Sequence, residues 1–230
     1  MASWMVHLRV ADSLLNQISG LSQTEFIVGN IAPDSGIPNE DGITFTPSSV
    51  ISHFKLDDGI SKTIHIPSFV DKYFTFNQQL SYSREEYSFF LGYLSHLLTD
   101  LLWVESAVIP LQKRYPDQWA ADKKALIREA KTDWYDLDFL YLINHPDFRA
   151  FSIYEKAVGF KNTYLDFFSS DAFDKRREYI TAFYRSANEN LDRPYPYFTE
   201  QDAQPFVLSA SRTIRLLLQE KYCVRLHSSV

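Results

Sequence analysis

Residues 91–103, Leu-Gly-Tyr-Leu-Ser-His-Leu-Leu-Thr-Asp-Leu-Leu-Trp, constrain this chain more than any other stretch. They belong to a run that opens at Ser83-Arg-Glu-Glu86, the spelling of a capping box, and reads as a helix over about 84–104. A helix apolar on almost every side must be enclosed by other elements, so this one marks the centre of a core. Inside it stand His96 and Asp100, spaced i, i+4 and therefore on one face. A carboxylate in apolar surroundings is costly unless something positive meets it, and the segment holds no Lys or Arg. A bound cation with imidazole and carboxylate ligands is the simplest local solution, and a plain His–Asp hydrogen bond is the ordinary alternative.

The rest of the chain reads as helix around that centre. Only 7 of 230 residues are glycine, while 45% are hydrophobic and 16% aromatic, which favours helix and a large core. The expectation is an all-α, compact orthogonal multi-helix domain spanning 1–230, with a minor hairpin or irregular insertion near residues 43–66. Residues 3–18 carry helical periodicity with Ser3 as N-cap, which turns His7 inward beside Trp4. Turn formers dominate 29–50, which reads as a loop carrying Asp34, and the stretch 29–80 is weakly periodic. Short alternating runs at 43–46 and 63–66 are candidate hairpin strands, with His53 between them. Pro110 is read as the end of the central helix. Further helices are expected over 117–131, 133–144, 150–168, 171–190 and 200–222, with a turn at Arg193-Pro-Tyr-Pro-Tyr. The aromatic residues of 134–168 read mostly as core, with some available to wall an apolar cleft. The run Asp174-Lys-Arg-Arg177 reads as a solvated face or as a phosphate-attracting rim.

A net charge of -6 argues against a nucleic-acid scaffold. The one cysteine, Cys223, forms no internal disulfide and reads as a structural or idle thiol. The N-terminus lacks the charged start and apolar core of a signal peptide, and no stretch reads as a membrane span, so a cytoplasmic protein is expected. His65 and His227 read as surface or strand residues.

The candidate chemistry lies in a set: His7, Asp34, His53, His96 and Asp100. One loop carboxylate, scattered histidines and a helical His/Asp pair form a borderline-hard N/O donor set that suits zinc, with manganese or iron as competitors. The order of these residues, in Trp4…His7, Phe26-Ile-Val-Gly-Asn-Ile-Ala-Pro-Asp34, His53-Phe54 and Phe90-Leu-Gly-Tyr-Leu-Ser-His-Leu-Leu-Thr-Asp100, resembles the zinc-dependent phospholipase C family over roughly the N-terminal half. That family is similar in fold to single-strand-specific nucleases.

The resemblance implies a helical fold with a cluster of zinc ions that hydrolyses phosphoesters. It implies Asp34, His53, His96 and Asp100 as ligands of one metal, and His7 as ligand of a second bridged by Asp100. It also implies Asp34 as the catalytic base or water-orienting group. Secreted relatives use a processed N-terminal tryptophan as a ligand, whereas Trp4 here follows three residues. A family histidine six residues after the helical aspartate is replaced by Ser106, and a later His-x-x-x-Glu pair is missing. Glu105, Asp133, Asp136, Asp138 and His145 are possible substitutes. One or two ions and a small phosphoester or phospholipid-like substrate are therefore expected. The alternatives are a non-catalytic helical protein with a structural metal and a single-strand nuclease-like phosphodiesterase.

Overall fold

A computed structural model of the chain describes residues 1–41, 43–57, 62–186, 188 and 190–222. Cys223 and His227 lie outside these described residues. The central helix α6 (Arg84–Trp103) starts where expected. Ser83 Oγ accepts the Glu86 N–H at 3.2 Å, and the Glu86 carboxylate accepts the Ser83 N–H at 2.9 Å. Every residue from 88 to 100 is buried.

Pro110 does not end this helix. A π-helical turn, Val104–Val108, carries the chain into α7 (Ile109–Arg114), where Pro110 sits at the second position and its missing N–H costs little. The combined stretch Arg84–Arg114 is therefore long and apolar enough to cross a membrane by length and composition, contrary to the sequence reading. With 56% of its apolar window buried against protein, it packs here as a core helix.

Two helices meet α6 at the site. α1 (Trp4–Leu15) is N-capped by Ser3, whose Oγ accepts the Val6 N–H at 3.4 Å. α2 (Gln23–Ile31) runs on through Gly29–Ile31, where the expected loop over 29–50 would begin. Gly29 and Asn30 are poor helix formers, but tertiary contact overrides propensity here. A Cβ on Gly29 would lie 2.2 Å from the Phe89 carbonyl oxygen, and a Cβ on Gly92 would lie 2.2 Å from that of Phe26. Reciprocal glycines thus let the two helix backbones touch. A 3-10 turn, Ala32–Asp34, leaves α2 directly.

The expected hairpin is replaced by two smaller ones. β1 (Ile37–Pro38) pairs antiparallel with β2 (Phe45–Thr46), in register Ile37↔Thr46. β3 (Lys55–Asp57) pairs antiparallel with β4 (Lys62–Ile64), in register Leu56↔Thr63. Each run finds a nearer partner, which closes a shorter loop than pairing with the other run. Between them, α3 (Ser49–Ser52) leads to His53, and α4 (Ile66–Tyr73) and α5 (Phe76–Ser81) fill much of the weakly periodic stretch.

The C-terminal elements are α8 (Pro116–Asn144), α9 (Arg149–Lys156), α10 (Ala172–Arg185) and α11 (Glu200–Tyr222). α8 breaks at Asp122 (φ -155°, ψ 89°) rather than near 132, because the Asp122 carboxylate accepts the Ala125 N–H at 2.9 Å and caps a new helix start. α9 stops short of 168, and the following residues fold around Asn162, whose side chain bonds the Leu165 and Phe168 carbonyls at 2.7 and 2.9 Å.

Asp138 of α8 ties the start of α1 into this frame. It accepts the Ser3 hydroxyl at 2.9 Å and the Tyr184 hydroxyl of α10 at 2.6 Å. Burial pushes its carboxyl up to about 7, against the pull of the two hydroxyl donors. An acid whose folded value lies above its unfolded value, near 3.9, contributes most stability below that unfolded value and loses it as pH rises toward 7. Between about pH 4 and pH 7, wild type should therefore lose stability relative to Asp138→Asn, at up to roughly 1.4 kcal/mol per pH unit. Urea titrations across that range test this, and parallel profiles would contradict it.

Candidate metal centre

The five residues named from the sequence converge. His7 comes from α1, Asp34 from the 3-10 turn, His53 from the end of α3, and His96 and Asp100 from α6. His7 Nε2 lies 3.3 Å from Asp100 Oδ1. His53 Nε2 lies 3.3 Å from Asp34 Oδ1 and 3.5 Å from Asp100 Oδ2. His96 Nε2 lies 3.6 Å from Asp100 Oδ2 and 3.3 Å from His53 Nε2. The His7 and His96 rings stack with centroids 3.7 Å apart. His7, His53, His96 and Asp100 are all at most 1% exposed, and the Asp34 side chain is 8% exposed.

Backbone groups aim these side chains. His96 Nδ1 lies 2.7 Å from the Asn30 carbonyl oxygen. A carbonyl only accepts, so Nδ1 carries the proton and Nε2 presents its lone pair to the centre. His53 is held from both sides. The Tyr93 hydroxyl of α6 donates to the preceding Ser52 carbonyl. The following Phe54 adopts a left-handed backbone (φ 51°), fixed by edge-on contacts with Phe69, Tyr73, Tyr93 and Phe167. The Ala2 backbone N–H donates to Asp100 Oδ1 at 2.8 Å. Trp4 is no ligand; its ring packs on Tyr135 and Tyr179 at the cavity wall.

Electrostatics divide the imidazoles. Burial, and then the neighbouring His96, push His7 down to about 4. Burial also lowers His53. His96 is raised: burial opposes its charge, but the Asp100 hydrogen bond and the charges of Asp100 and Asp34 prevail. Burial works to raise Asp34 and Asp100, yet both are held below the usual carboxylate range. For Asp34, His53 and His96 outweigh burial; for Asp100, the N-terminal ammonium, His7 and His96 do so.

The cluster is nonetheless poorly paired. His7 Nδ1 and Nε2 and Asp100 Oδ2 are buried without an aligned hydrogen-bond partner. Each such orphan costs about 1–3 kcal/mol. The donor atoms group as His7, His96 and Asp100, and as Asp34, His53 and His96, with the atoms of each group within 4.8 Å of one another. An imidazole nitrogen has one lone pair, so His96 serves one ion, while the two oxygens of Asp100 can face two. The residues present therefore fit a divalent metal.

The proposed substitutes do not join. Glu105 is exposed. Asp133 and Asp136 pair with Arg193 at 2.7 and 2.6 Å, and Asp138 binds Ser3 and Tyr184. His145 is exposed and bonds the Tyr141 carbonyl at 2.9 Å. His65 caps α4 through Ser68.

A cavity of about 450 Å³ reaches Asp34 and His53, lined also by Trp4, Tyr135, Lys131 and Arg176. Most of the aromatic residues of 134–168 are core. Asn30 and Tyr93, which orient the histidines, had no role in the sequence reading, although both stand in motifs quoted there. Comparisons with curated proteins and with solved structures find no match. Residues 6–103 match the family model described as zinc dependent phospholipase C, so the chain resembles that family over the N-terminal portion that carries all five residues of the cluster.

Proposed function

We propose that this protein is a metal-dependent phosphoester hydrolase. Asp34, His53, His96 and Asp100 Oδ2 would hold one divalent ion, zinc by preference, and His7 with Asp100 Oδ1 would face a second. The observation that carries this reading is the set of orphaned polar atoms of His7 and Asp100, buried where three imidazoles and two carboxylates converge. The family match over the same residues supports it. When bound, such an ion supplies positive charge for phosphoryl oxygens and eases loss of a proton from water.

The side chains do the rest. Asp34 is the member of the cluster with the most exposed side chain, it lines the cavity, and it stays ionised. Its carboxylate orients a water molecule toward phosphorus, and the proton that the water loses passes on to the leaving oxygen. An oxygen–phosphorus bond forms to the water, the ester bond to phosphorus breaks, and the leaving oxygen takes up a proton. His53 holds Asp34 in place at 3.3 Å. The buried wall behind His7 and His96 keeps bulk water from the rear of the site, which strengthens these charge interactions.

The test is metal analysis of protein purified without chelator, followed by hydrolysis of p-nitrophenyl phosphate and bis(p-nitrophenyl) phosphate. Turnover that chelator removes and zinc restores is expected. Metal-loaded protein that hydrolyses neither ester would favour a structural ion instead.

A further inference from the structure

Two cations face the same cavity from outside the cluster. Lys131 of α8 and Arg176 of α10 are half-buried there. Among the described residues, no carboxylate pairs with either. Their neighbours differ: Lys175 pairs with Asp171 and Arg177 with Asp174, both at 2.7 Å. Of the run Asp174-Lys-Arg-Arg177, Arg176 alone is both unpaired and turned to this cavity. It is also preset. Its Nη2 donates to the Gly36 carbonyl, and its guanidinium carbon lies 5.9 and 5.4 Å from the ring centres of Trp4 and Tyr179. One of five donors is used, so the fork remains open to an anion.

Arg176 also stands on the wall between two spaces. A second cavity of about 450 Å³ adjoins the first through Trp4, Gly36, Phe45 and Arg176. Ile37, Pro38 and Tyr179 make much of its lining apolar.

We infer that Lys131 and Arg176 recognise a phosphoryl group bearing two negative charges, so that the substrate is a phosphomonoester whose apolar arm lies in the second cavity. This deepens, and rests on, the hydrolase reading. One divalent ion would balance the carboxylates of Asp34 and Asp100, so Lys131 and Arg176 leave at least two positive charges for the substrate to meet, and a second ion facing His7 would add to that surplus. A monoester carries nearly two negative charges at neutral pH, whereas a diester carries one. Charge-assisted hydrogen bonds to phosphate are among the stronger polar contacts, and the planar fork of arginine suits them.

The experiment measures inorganic phosphate binding to the metal-loaded protein by calorimetry, beside kcat/KM on p-nitrophenyl phosphate and bis(p-nitrophenyl) phosphate. Arg176→Ala and Lys131→Met are each compared with wild type, with melting curves as the folding control. Each variant should weaken phosphate binding by about tenfold or more. Each should also depress the monoester rate well beyond the diester rate, and Arg176→Lys should restore only part of the loss. Unchanged phosphate affinity in folded Arg176→Ala and Lys131→Met overturns the inference, even if hydrolysis persists. If wild type hydrolyses neither ester yet binds phosphate in an Arg176-dependent way, recognition stands and the hydrolase reading falls. Should Arg176→Ala not fold, Lys131→Met decides alone.

Discussion

Asp100→Asn should strip the protein of its metal and of the stability that the metal confers. Asp100 is the residue on which the cluster closes: Oδ1 faces His7, and Oδ2 faces His53 and His96, all at 3.3–3.6 Å. The amide would keep the size and one acceptor but lose the charge and one ligand oxygen. Losing an outer partner of a ligand typically costs about 10–100-fold in metal affinity, so losing this ligand should cost at least about 100-fold. A ligand at a thousand times its Kd stabilises a fold by about 4 kcal/mol, and that increment should vanish in the variant. The readout is the shift in melting temperature on adding zinc: large in wild type, near zero in Asp100→Asn. Because it compares each protein with itself, it is blind to any loss of stability in the metal-free variant. The pH dependence has a definite sign. Protons compete with the ion for His96, which burial disfavours as a cation but Asp100 and Asp34 raise above its ordinary value near 6.5. Zinc-dependent stabilisation should therefore begin to fall as pH drops toward neutrality, not only below 6.5. An equal zinc shift in variant and wild type would contradict the assignment.

Gly92→Ala should be strongly damaging for a single added methyl, as should the reciprocal Gly29→Ala. The new Cβ would lie 2.2 Å from the Phe26 carbonyl oxygen and 2.9 Å from the Asn30 nitrogen. Both obstacles are helix backbone, so no side chain can turn aside and α2 itself must move. Overpacking commonly costs 1–3 kcal/mol, and this rigid case should sit at about 3 kcal/mol or more. For a chain of this size that lowers the melting temperature by roughly 10 °C. The shift also reaches the site. α2 carries the Asn30 carbonyl that orients His96 and leads directly to Asp34, so metal affinity should fall together with stability. Ser95→Ala, on the same helix, removes only a hydroxyl bonded to the Leu91 carbonyl at 2.8 Å and should cost about 1 kcal/mol or less. Thermal melts and metal content of the two variants separate a backbone clash from a general sensitivity of α6.

The contrast between His96 and Asn30 shows what the sequence could reveal. His96 and Asp100 are legible because ionisable groups in an apolar helix demand a partner, and Ser83 with Glu86 announces where that helix begins. Asn30 contributes its main-chain carbonyl, which any residue would offer, so its part in aiming His96 appears only once α2 is packed. α2 itself was hidden because Gly29 reads as a loop former until Phe89 is seen against it. Pro110 misled for a related reason: proline breaks a helix interior but is tolerated where a π turn restarts it. Asp122, which splits α8, is one acidic residue among several in a charged stretch, and its capping role depends on a backbone turn that periodicity does not foretell. The two small hairpins depend on which neighbour each short run meets. His7, His53 and Asp34 were legible as a set through motif order, whereas Arg176 stood among the charges of a run with two readings. Its separation from Lys175 and Arg177 emerges only from their ion pairs.

The central claim is that a divalent ion lies among His7, Asp34, His53, His96 and Asp100. Crystals of protein purified without chelator, measured on both sides of the zinc absorption edge, test it most directly. The account predicts an anomalous peak at bonding distance from His96 Nε2 and Asp100 Oδ2, with Asp34 and His53 completing the same coordination sphere. A fully ordered cluster with no anomalous density, its imidazoles and carboxylates bonded directly to one another, would contradict it.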